Sequence, residues 1–209
     1  HLSIRRQRQM CIRDRVTLMA VPDAPIILGY DPDTLREHID VAAAEARLEQ
    51  ISHLRSLAAL NERVALLRML GHLDAAFDEA QAAYRQSRFT GAREDALAAR
   101  IRRAVVQQYQ GKTDQALREL DGCVDEARTH EWMSLAAFAL QHRGKTHFDR
   151  GELDAALADF ELALKYRTDI EAPIDQVESS KFAIRAVRAK LDGSRGEEEF
   201  NEPITSHDL

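Results

Sequence analysis

The apolar residues between positions 55 and 170 follow the spacing of amphipathic helices. The clearest stretch places apolar side chains three, four and seven residues apart at Ala156, Leu157, Phe160, Ala163 and Leu164. Similar stretches alternate with single glycines along this part of the chain. The pattern predicts a series of helices joined by short turns. No run of eighteen apolar residues occurs, so no membrane-spanning helix is predicted.

The same pattern recurs every forty residues. Three segments share a glycine, then an aspartate, then an alanine: Gly71, Asp74 and Ala76; Gly111, Asp114 and Ala116; Gly151, Asp154 and Ala156. Glycine readily takes the left-handed conformation that ends a helix. The aspartate then falls in the first turn of the next helix, where a carboxylate suits the positive end of the helix dipole. The spacing predicts helix pairs that stack on one another to bury their apolar faces.

Further columns agree at the same spacing, with small or large apolar residues in each. They are Val64, Ala104 and Gly144; Ala80, Leu120 and Phe160; and Ala83, Cys123 and Ala163. Together these columns resemble tetratricopeptide repeats over about residues 55–168. The repeat here is 40 residues long instead of the usual 34, and the family's first aromatic position holds Leu60, Arg100 or Leu140.

The resemblance implies an all-α fold, a right-handed superhelical solenoid of three such helix pairs with a leading and a capping helix. It also implies a non-catalytic scaffold that binds a protein or peptide segment in a concave groove lined by the first helices. For Phe138 and Phe148, packing against the adjacent second helix is an equal alternative. The positions that the resemblance assigns to the groove are Asn61, Arg68, Ile101, Gln108, Tyr109, Phe138, Gln141, Lys145 and Phe148.

We expect one helical domain over residues 33–192. Its units span about 55–90, 93–130 and 133–169, and a capping helix covers 174–191. Asp31-Pro32-Asp33-Thr34 followed by Glu37 is typical of a helix start with a capping box, which predicts a helix over residues 35–50. Residues 33–70 then form one bent helix or two, with Ser52 the favoured break.

Both ends of the chain are expected to lie outside this domain. Residues 19–32 read as an extended segment, and residues 193–209 as a disordered, solvated acidic tail that contains Glu197, Glu198 and Glu199. Within residues 1–18, Met10-Cys11-Ile12-Arg13-Asp14 resembles a translated sequencing adaptor. We therefore expect residues 1–18 to be an artefact and Met19 to be the native start.

Charge and cysteine content narrow the function classes. The 209 residues carry a formal net charge of −6, which disfavours nucleic acid as a partner. Without residues 1–18 a single cysteine remains, Cys123, so no disulfide framework is expected and a reducing cytoplasm is the default. The predicted partner is therefore a protein or peptide, with no membrane; a homo-oligomer stays open.

One segment matches a catalytic motif. Ala139–Thr146 fits a relaxed phosphate-binding loop that ends in Gly144, Lys145 and Thr146. A working loop follows a strand, whereas the residues before it read as helix, so we disfavour a nucleotide-binding enzyme. The histidines are dispersed and no Cys/His set has ligand spacing, so no metal or cofactor is predicted. A peptide-sensing regulatory module is the remaining alternative.

Three arginines also recur at the forty-residue spacing: Arg63, Arg103 and Arg143. They could form a column that meets an acidic ligand. They could instead brace the stack, each pairing with a carboxylate on a neighbouring helix, and we favour this second interpretation.

Overall fold

The computed structural model describes the backbone of residues 25–201 and the side chains of residues 25–193. Within this part of the chain, two short strands precede eight helices, and each helix from α1 to α8 packs on the next. The predicted all-helical class is confirmed. The elements are β1 Ile27–Tyr30, β2 Glu37–Ile39, α1 Val41–Ile51, α2 Leu57–Met69, α3 Leu73–Thr90, α4 Arg93–Tyr109, α5 Thr113–Thr129, α6 Met133–Asp149, α7 Leu153–Asp169 and α8 Ile174–Asn201.

The helices form repeated pairs, α2 with α3, α4 with α5, and α6 with α7. Helix α4 also contacts both α2 and α6, so the first helices of the three pairs lie side by side. This sequential packing is that of a helical repeat. None of the helices within residues 25–201 is both long and apolar enough to cross a membrane.

Left-handed residues end the helices at equivalent turns. Within the pairs, Gly71, Gly111 and Gly151 have φ between 74° and 80°. After each glycine, the next amide donates to a carbonyl oxygen five residues earlier, as from Lys112 to Gln107, which satisfies the exposed end of the helix. Between the pairs, the left-handed residues are Gly91, Glu131 and Glu171.

The two helices of the third pair approach closely at a glycine. A Cβ at Gly144 would lie 2.8 Å from Cε1 of Phe160, which is too close for any side chain. The equivalent positions hold Ala104 with Leu120 in the second pair, and Val64 with Ala80 in the first. A smaller residue on one helix thus accompanies a larger residue on the other, and the helices of each pair stay in contact.

The arginine column braces the stack. Each arginine donates to a carboxylate sixteen residues later, on the second helix of its own pair. The shortest N–O distances are 3.0 Å for Arg63 and 2.6 Å for Arg143. The acceptors of Arg63, Arg103 and Arg143 are Glu79, Glu119 and Asp159. The structure therefore supports the bracing interpretation over the ligand-binding one.

The same arginines also join neighbouring pairs. Arg103 and Arg143 each donate to the residue twenty-two positions earlier, which is Gln81 or Asp121. Arg63 instead donates to the carbonyl oxygens of Ile51 and Leu54, at 3.1 and 2.7 Å, where α1 ends. At the other end of the stack, Arg188 of α8 donates to Glu161, which lies forty residues after Asp121.

The helix expected over residues 35–50 is present, but its predicted start at residue 35 is wrong. Residues 31–36 form a turn in which the amide of Asp33 donates to the Asp31 side chain at 2.7 Å and the amide of Leu35 donates to the Asp31 carbonyl at 2.8 Å. An aspartate before a turn bonds locally in this way as readily as it caps a helix. Helix α1 begins only at Val41, where Asp40 caps the amide of Ala43.

One further helix boundary lies where the sequence predicted it, and another differs from the prediction. Helix α1 ends at Ile51 with Ser52 as its C-cap, and α2 begins at Leu57, so residues 41–69 form two helices that break at the favoured position. Helix α8 continues to Asn201, so the backbone of residues 193–201 is helical, where a disordered tail was expected. A glycine costs a helix only about 1 kcal/mol, and glutamates are good helix formers. The expectations for residues 1–24 and 202–209 lie outside the described residues.

Replacement of Gly144 by alanine should lower the free energy of unfolding by roughly 1–2 kcal/mol, because the new Cβ meets the ring of Phe160. The double variant Gly144→Ala/Phe160→Leu recreates the pair found at Ala104 and Leu120 and should recover most of this loss. Urea denaturation of both single variants and the double variant measures the coupling. Strictly additive losses would show that the two positions do not share one space.

Replacement of Glu131 by glycine should raise the free energy of unfolding by about 0.5–1 kcal/mol, because a side chain at φ 58° is strained. Gly151→Ala is the reciprocal control. It has no neighbouring atom within 4 Å of the added Cβ and φ 74°, so its loss reports backbone strain alone. Thermal unfolding checks both changes, and an unchanged midpoint in Glu131→Gly would contradict the argument.

Candidate binding surface beneath the hairpin

The N-terminal strands form a hairpin, here residues 26–40, that lies against the first helices of the pairs. Strands β1 and β2 are antiparallel, with Tyr30 opposite Glu37 and an irregularity between Ile27 and Gly29. The ring of Tyr30 lies 5.7 Å from that of Phe182 in α8. A two-stranded hairpin is marginal alone, so its position depends on contacts with the helices.

Leu35 anchors the turn of the hairpin in the helical core. Its side chain is 1% exposed and joins an apolar cluster built by α6, α7 and α8. Its backbone is left-handed, with φ 55°, which costs roughly 1–2 kcal/mol. Burial of a leucine side chain contributes about 1.5–3 kcal/mol and offsets this strain. The cluster residues around it include Phe148, Phe160, Ile184 and Val187.

Glu37 joins the hairpin to three helices at once. Its carboxylate accepts two hydrogen bonds from Arg68 of α2, at 3.0 and 3.3 Å, and one from the Tyr109 hydroxyl of α4 at 2.7 Å. The ammonium group of Lys145, in α6, lies 3.6 Å from the same carboxylate. We call Arg68, Tyr109 and Lys145 the Glu37 clamp.

Burial and the neighbouring charges shift the pKa of Glu37 in opposite directions. Burial alone would raise the pKa of Glu37, but Lys145, Arg68 and the hydrogen bonds from Arg68 and Tyr109 hold it well below its usual range. Burial raises the pKa of Tyr109 to about 12 and lowers the pKa of Lys145. Glu37 is therefore ionised, and its single negative charge is shared by two buried cations.

A second ion pair extends this contact along the helices. Arg36 donates to Asp149 of α6 at 2.6 Å, and its guanidinium lies 3.9 Å from the ring centroid of Tyr109. The side-chain amide of Gln108 donates to the same carboxylate of Asp149 at 2.7 Å. Successive hairpin residues thus pair with helix residues of opposite charge.

Of the nine predicted groove residues, four contact the hairpin or its anchor. Arg68, Tyr109 and Lys145 hold Glu37, and Phe148 belongs to the cluster around Leu35. The predicted surface is therefore covered by the chain's own N-terminal segment, which the sequence analysis left as a separate extended stretch and a helix start.

The other five predicted residues differ in role. Gln108 bonds to Asp149, and Gln141 accepts hydrogen bonds from Arg167 and Ser180. Phe138 packs edge-on against His142, and Oδ1 of Asn61 is buried without a hydrogen-bond partner. The assignment of Ile101 to the groove is wrong, because its side chain is 0% exposed and lies in the core between the helices.

Sequence reasoning missed the hairpin, and a signal for it was present. Residues 26–30 combine two isoleucines, a leucine and a tyrosine between Pro25 and Asp31. Such a short apolar run bounded by turn residues is typical of a strand. No local signal assigns Glu37 to Arg68, Tyr109 and Lys145, which lie 31, 72 and 108 residues away in sequence.

A cavity of about 360 Å³ lies beside the clamp. Tyr30 and Glu37 of the hairpin form one part of its wall, and residues of α4, α6, α7 and α8 form the rest. His142 lines it, and burial together with the nearby Lys145 and Arg68 lowers the pKa of His142 well below its ordinary value. His142 is therefore neutral at physiological pH.

The phosphate-loop match adopts no loop. Residues 139–146 lie wholly within α6, where the backbone amides form helix hydrogen bonds. Lys145 pairs with Glu37, and the Thr146 hydroxyl donates to the His142 carbonyl at 2.9 Å.

Among the described residues, no group of three His, Cys, Asp or Glu side chains could hold a metal ion. Burial raises the pKa of the Cys123 thiol to about 12.

Replacement of Glu37 by glutamine should lower the free energy of unfolding by about 3 kcal/mol, because Arg68 and Lys145 lose their buried counter-charge. Urea denaturation at neutral pH measures the loss. Glu178→Gln removes a carboxylate from the exposed pair with Lys181 and should have no measurable effect.

The difference between wild type and Glu37→Gln should also depend on pH. The pKa of Glu37 is depressed in the folded protein, so its stabilising effect is present above its ordinary pKa of 4.5 and is lost as the pH falls below that value. The two chains should converge at acidic pH. A difference that stays constant from pH 7 to pH 3 would contradict the role of the charge.

Comparisons with known proteins add no relative to this description. A scan against protein-family models, a search of curated proteins and a search of solved structures each found no match. The resemblance to tetratricopeptide repeats therefore rests on the repeated residues of the chain itself.

Proposed function

We propose that the chain is a tetratricopeptide-repeat-like scaffold, a right-handed superhelical solenoid that binds a protein or peptide segment on the first helices of its pairs and performs no catalysis. The observation that supports this function best is the packing of the hairpin against the first helices. Leu35 fills an apolar site and Glu37 enters the clamp, so the surface already holds a chain segment by its side chains.

The hairpin also indicates what kind of partner would fit. The clamp offers two cations and a hydroxyl group to one carboxylate, while Phe148 and its neighbours accept an aliphatic side chain. A partner segment would therefore present a leucine-like residue and an acidic residue two positions later. Matched charges at this depth discriminate strongly among segments, because an uncharged side chain would leave both cations unpaired.

The hairpin is small enough for a partner to displace it. Its strands have only four and three residues, and Ile27 and Leu28 remain exposed on its outer side. A partner whose contacts on this surface are more favourable than those of Leu35 and Glu37 would displace it. The tethered hairpin would act as a competitor at an effective concentration of about millimolar.

The position of the hairpin on the proposed binding surface also favours the second candidate, a peptide-sensing regulatory module. A partner that replaces the hairpin frees residues 26–40, so binding would change the shape of the N-terminal region. Both candidates act in the cytoplasm and need neither a cofactor nor a metal. The nucleotide-binding alternative lacks support, because residues 139–146 are helical.

The test uses the full chain with its hairpin weakened by Leu35→Ala/Glu37→Gln. A fluorescein-labelled peptide of residues 25–40 should bind this variant, and it should bind the wild-type chain at least about tenfold more weakly because the tethered hairpin competes. Fluorescence polarisation measures both affinities. Equal affinity for the two chains, or no binding to either, would contradict the proposal.

Two controls identify the surface. A peptide with glutamine in place of Glu37 should lose at least about tenfold in affinity, because it cannot satisfy the buried cations. Tyr109→Ala in the weakened chain removes one clamp contact and should reduce binding of the unaltered peptide more than that of the glutamine peptide. Circular dichroism confirms that each chain stays helical.

A further inference from the structure

The cavity beside the clamp contains more hydrogen-bond donors than the protein itself satisfies. It lies between the hairpin and helices α4, α6, α7 and α8, and its volume of about 360 Å³ falls within the range of small-molecule sites. The Glu37 clamp contributes only Lys145 to its wall, so most of the cavity is a separate feature.

Four lining residues carry a buried nitrogen without a hydrogen-bond partner. These atoms are Nη1 of Arg102, Nε2 of Gln141, Nδ1 of His142 and Nε of Arg167. Gln141 and Arg167 are only 3% and 5% exposed, so bulk water does not surround them. The nitrogens of Arg102, Gln141 and Arg167 are N–H donors, whereas Nδ1 of the neutral His142 is a donor or an acceptor according to its tautomer. Buried donors are almost always paired in folded proteins, and three of them around one cavity indicate a missing acceptor.

The charges around the cavity favour an anion as that acceptor. Arg102, Lys145 and Arg167 stand against two carboxylates, Glu37 and Asp175. Glu37 is already shared by Arg68 and Lys145, and Asp175 is exposed. Burial lowers the pKa of Arg102, and it lowers the pKa of Arg167 to about 10, so both guanidinium groups are held in a poorly solvated site.

One side of the cavity is apolar. Ala98, Leu135 and Phe138 line it, and the guanidinium of Arg102 lies 5.3 Å from the ring centroid of Phe138. A ligand that consists of a charged head alone would leave this wall uncovered. A head attached to a flat or aliphatic body would cover both parts of the wall.

We propose that this cavity binds a small organic anion. Its carboxylate or phosphate oxygens accept hydrogen bonds from Arg102, Gln141 and Arg167, and its non-polar body packs on Phe138 and Leu135. Since Tyr30 and Glu37 close the cavity from the hairpin side, the bound anion lies beneath the hairpin. This site adjoins the surface that would receive a protein segment, because Lys145 belongs to both.

Isothermal titration calorimetry on the full chain tests the proposal with four probes. Benzoate and phenyl phosphate carry the two oxyanion heads on the same ring, benzamide is the neutral analogue of benzoate, and benzylamine carries the opposite charge. At least one of the two anions should bind at millimolar concentration or better, and benzamide and benzylamine should bind at least about tenfold more weakly. The preferred anion identifies the head group. Failure of both anions to bind at 10 mM, a concentration of the order expected for weak fragments, would overturn the proposal.

Arg102 provides the variant that separates a ligand role from a structural one. Arg102→Gln removes a partly buried cation whose Nη1 lacks a hydrogen-bond partner, so thermal stability without ligand should stay the same or rise, whereas anion affinity should fall at least about tenfold. Arg102→Lys should retain part of the affinity. Arg118→Gln, at an exposed position of α5, removes the same charge and should leave binding unchanged. Loss of stability with unchanged anion affinity in Arg102→Gln would overturn the assignment.

Discussion

The buried carboxylate of Glu37 is the contact on which the N-terminal half of the architecture depends. It lies between Arg68 and Lys145, two cations on different helices that no other carboxylate within 4 Å compensates in the described structure. Removal of the Glu37 carboxylate would leave both buried cations without a counter-charge, so the hairpin and the first helices stabilise each other. The same contact places Tyr30 and Glu37 where they close the adjacent cavity.

The repeated part of the fold was accessible from sequence because its determinants are local. A glycine that ends a helix, an aspartate in the next first turn and a small residue at a helix contact act within a few positions, and they recur in register. The hairpin was not accessible in this way. Its turn contains the same Asp, Pro and Thr residues that begin helices, and the side chains that hold Glu37 lie on three distant helices.

The prediction of individual site residues from sequence is limited in a similar way. The resemblance placed Ile101 on the binding surface, but this side chain is buried in the core, and the next residue, Arg102, lines the cavity. One step along a helix turns the side chain by about 100°. A forty-residue period does not fix that angle as a thirty-four-residue repeat would, so positions carried over from the family can face the wrong way.

Other groups of the chain complete the arginine column at both ends of the stack. Val41 stands where a further arginine brace would need an acceptor before Arg63, and Arg63 turns to backbone carbonyl groups instead. After the third pair, Glu161 is the next acceptor in the series, and Arg188 of α8 already occupies it. Within residues 25–193, the side-chain bonds that join neighbouring pairs therefore end at α1 on one side and at α8 on the other.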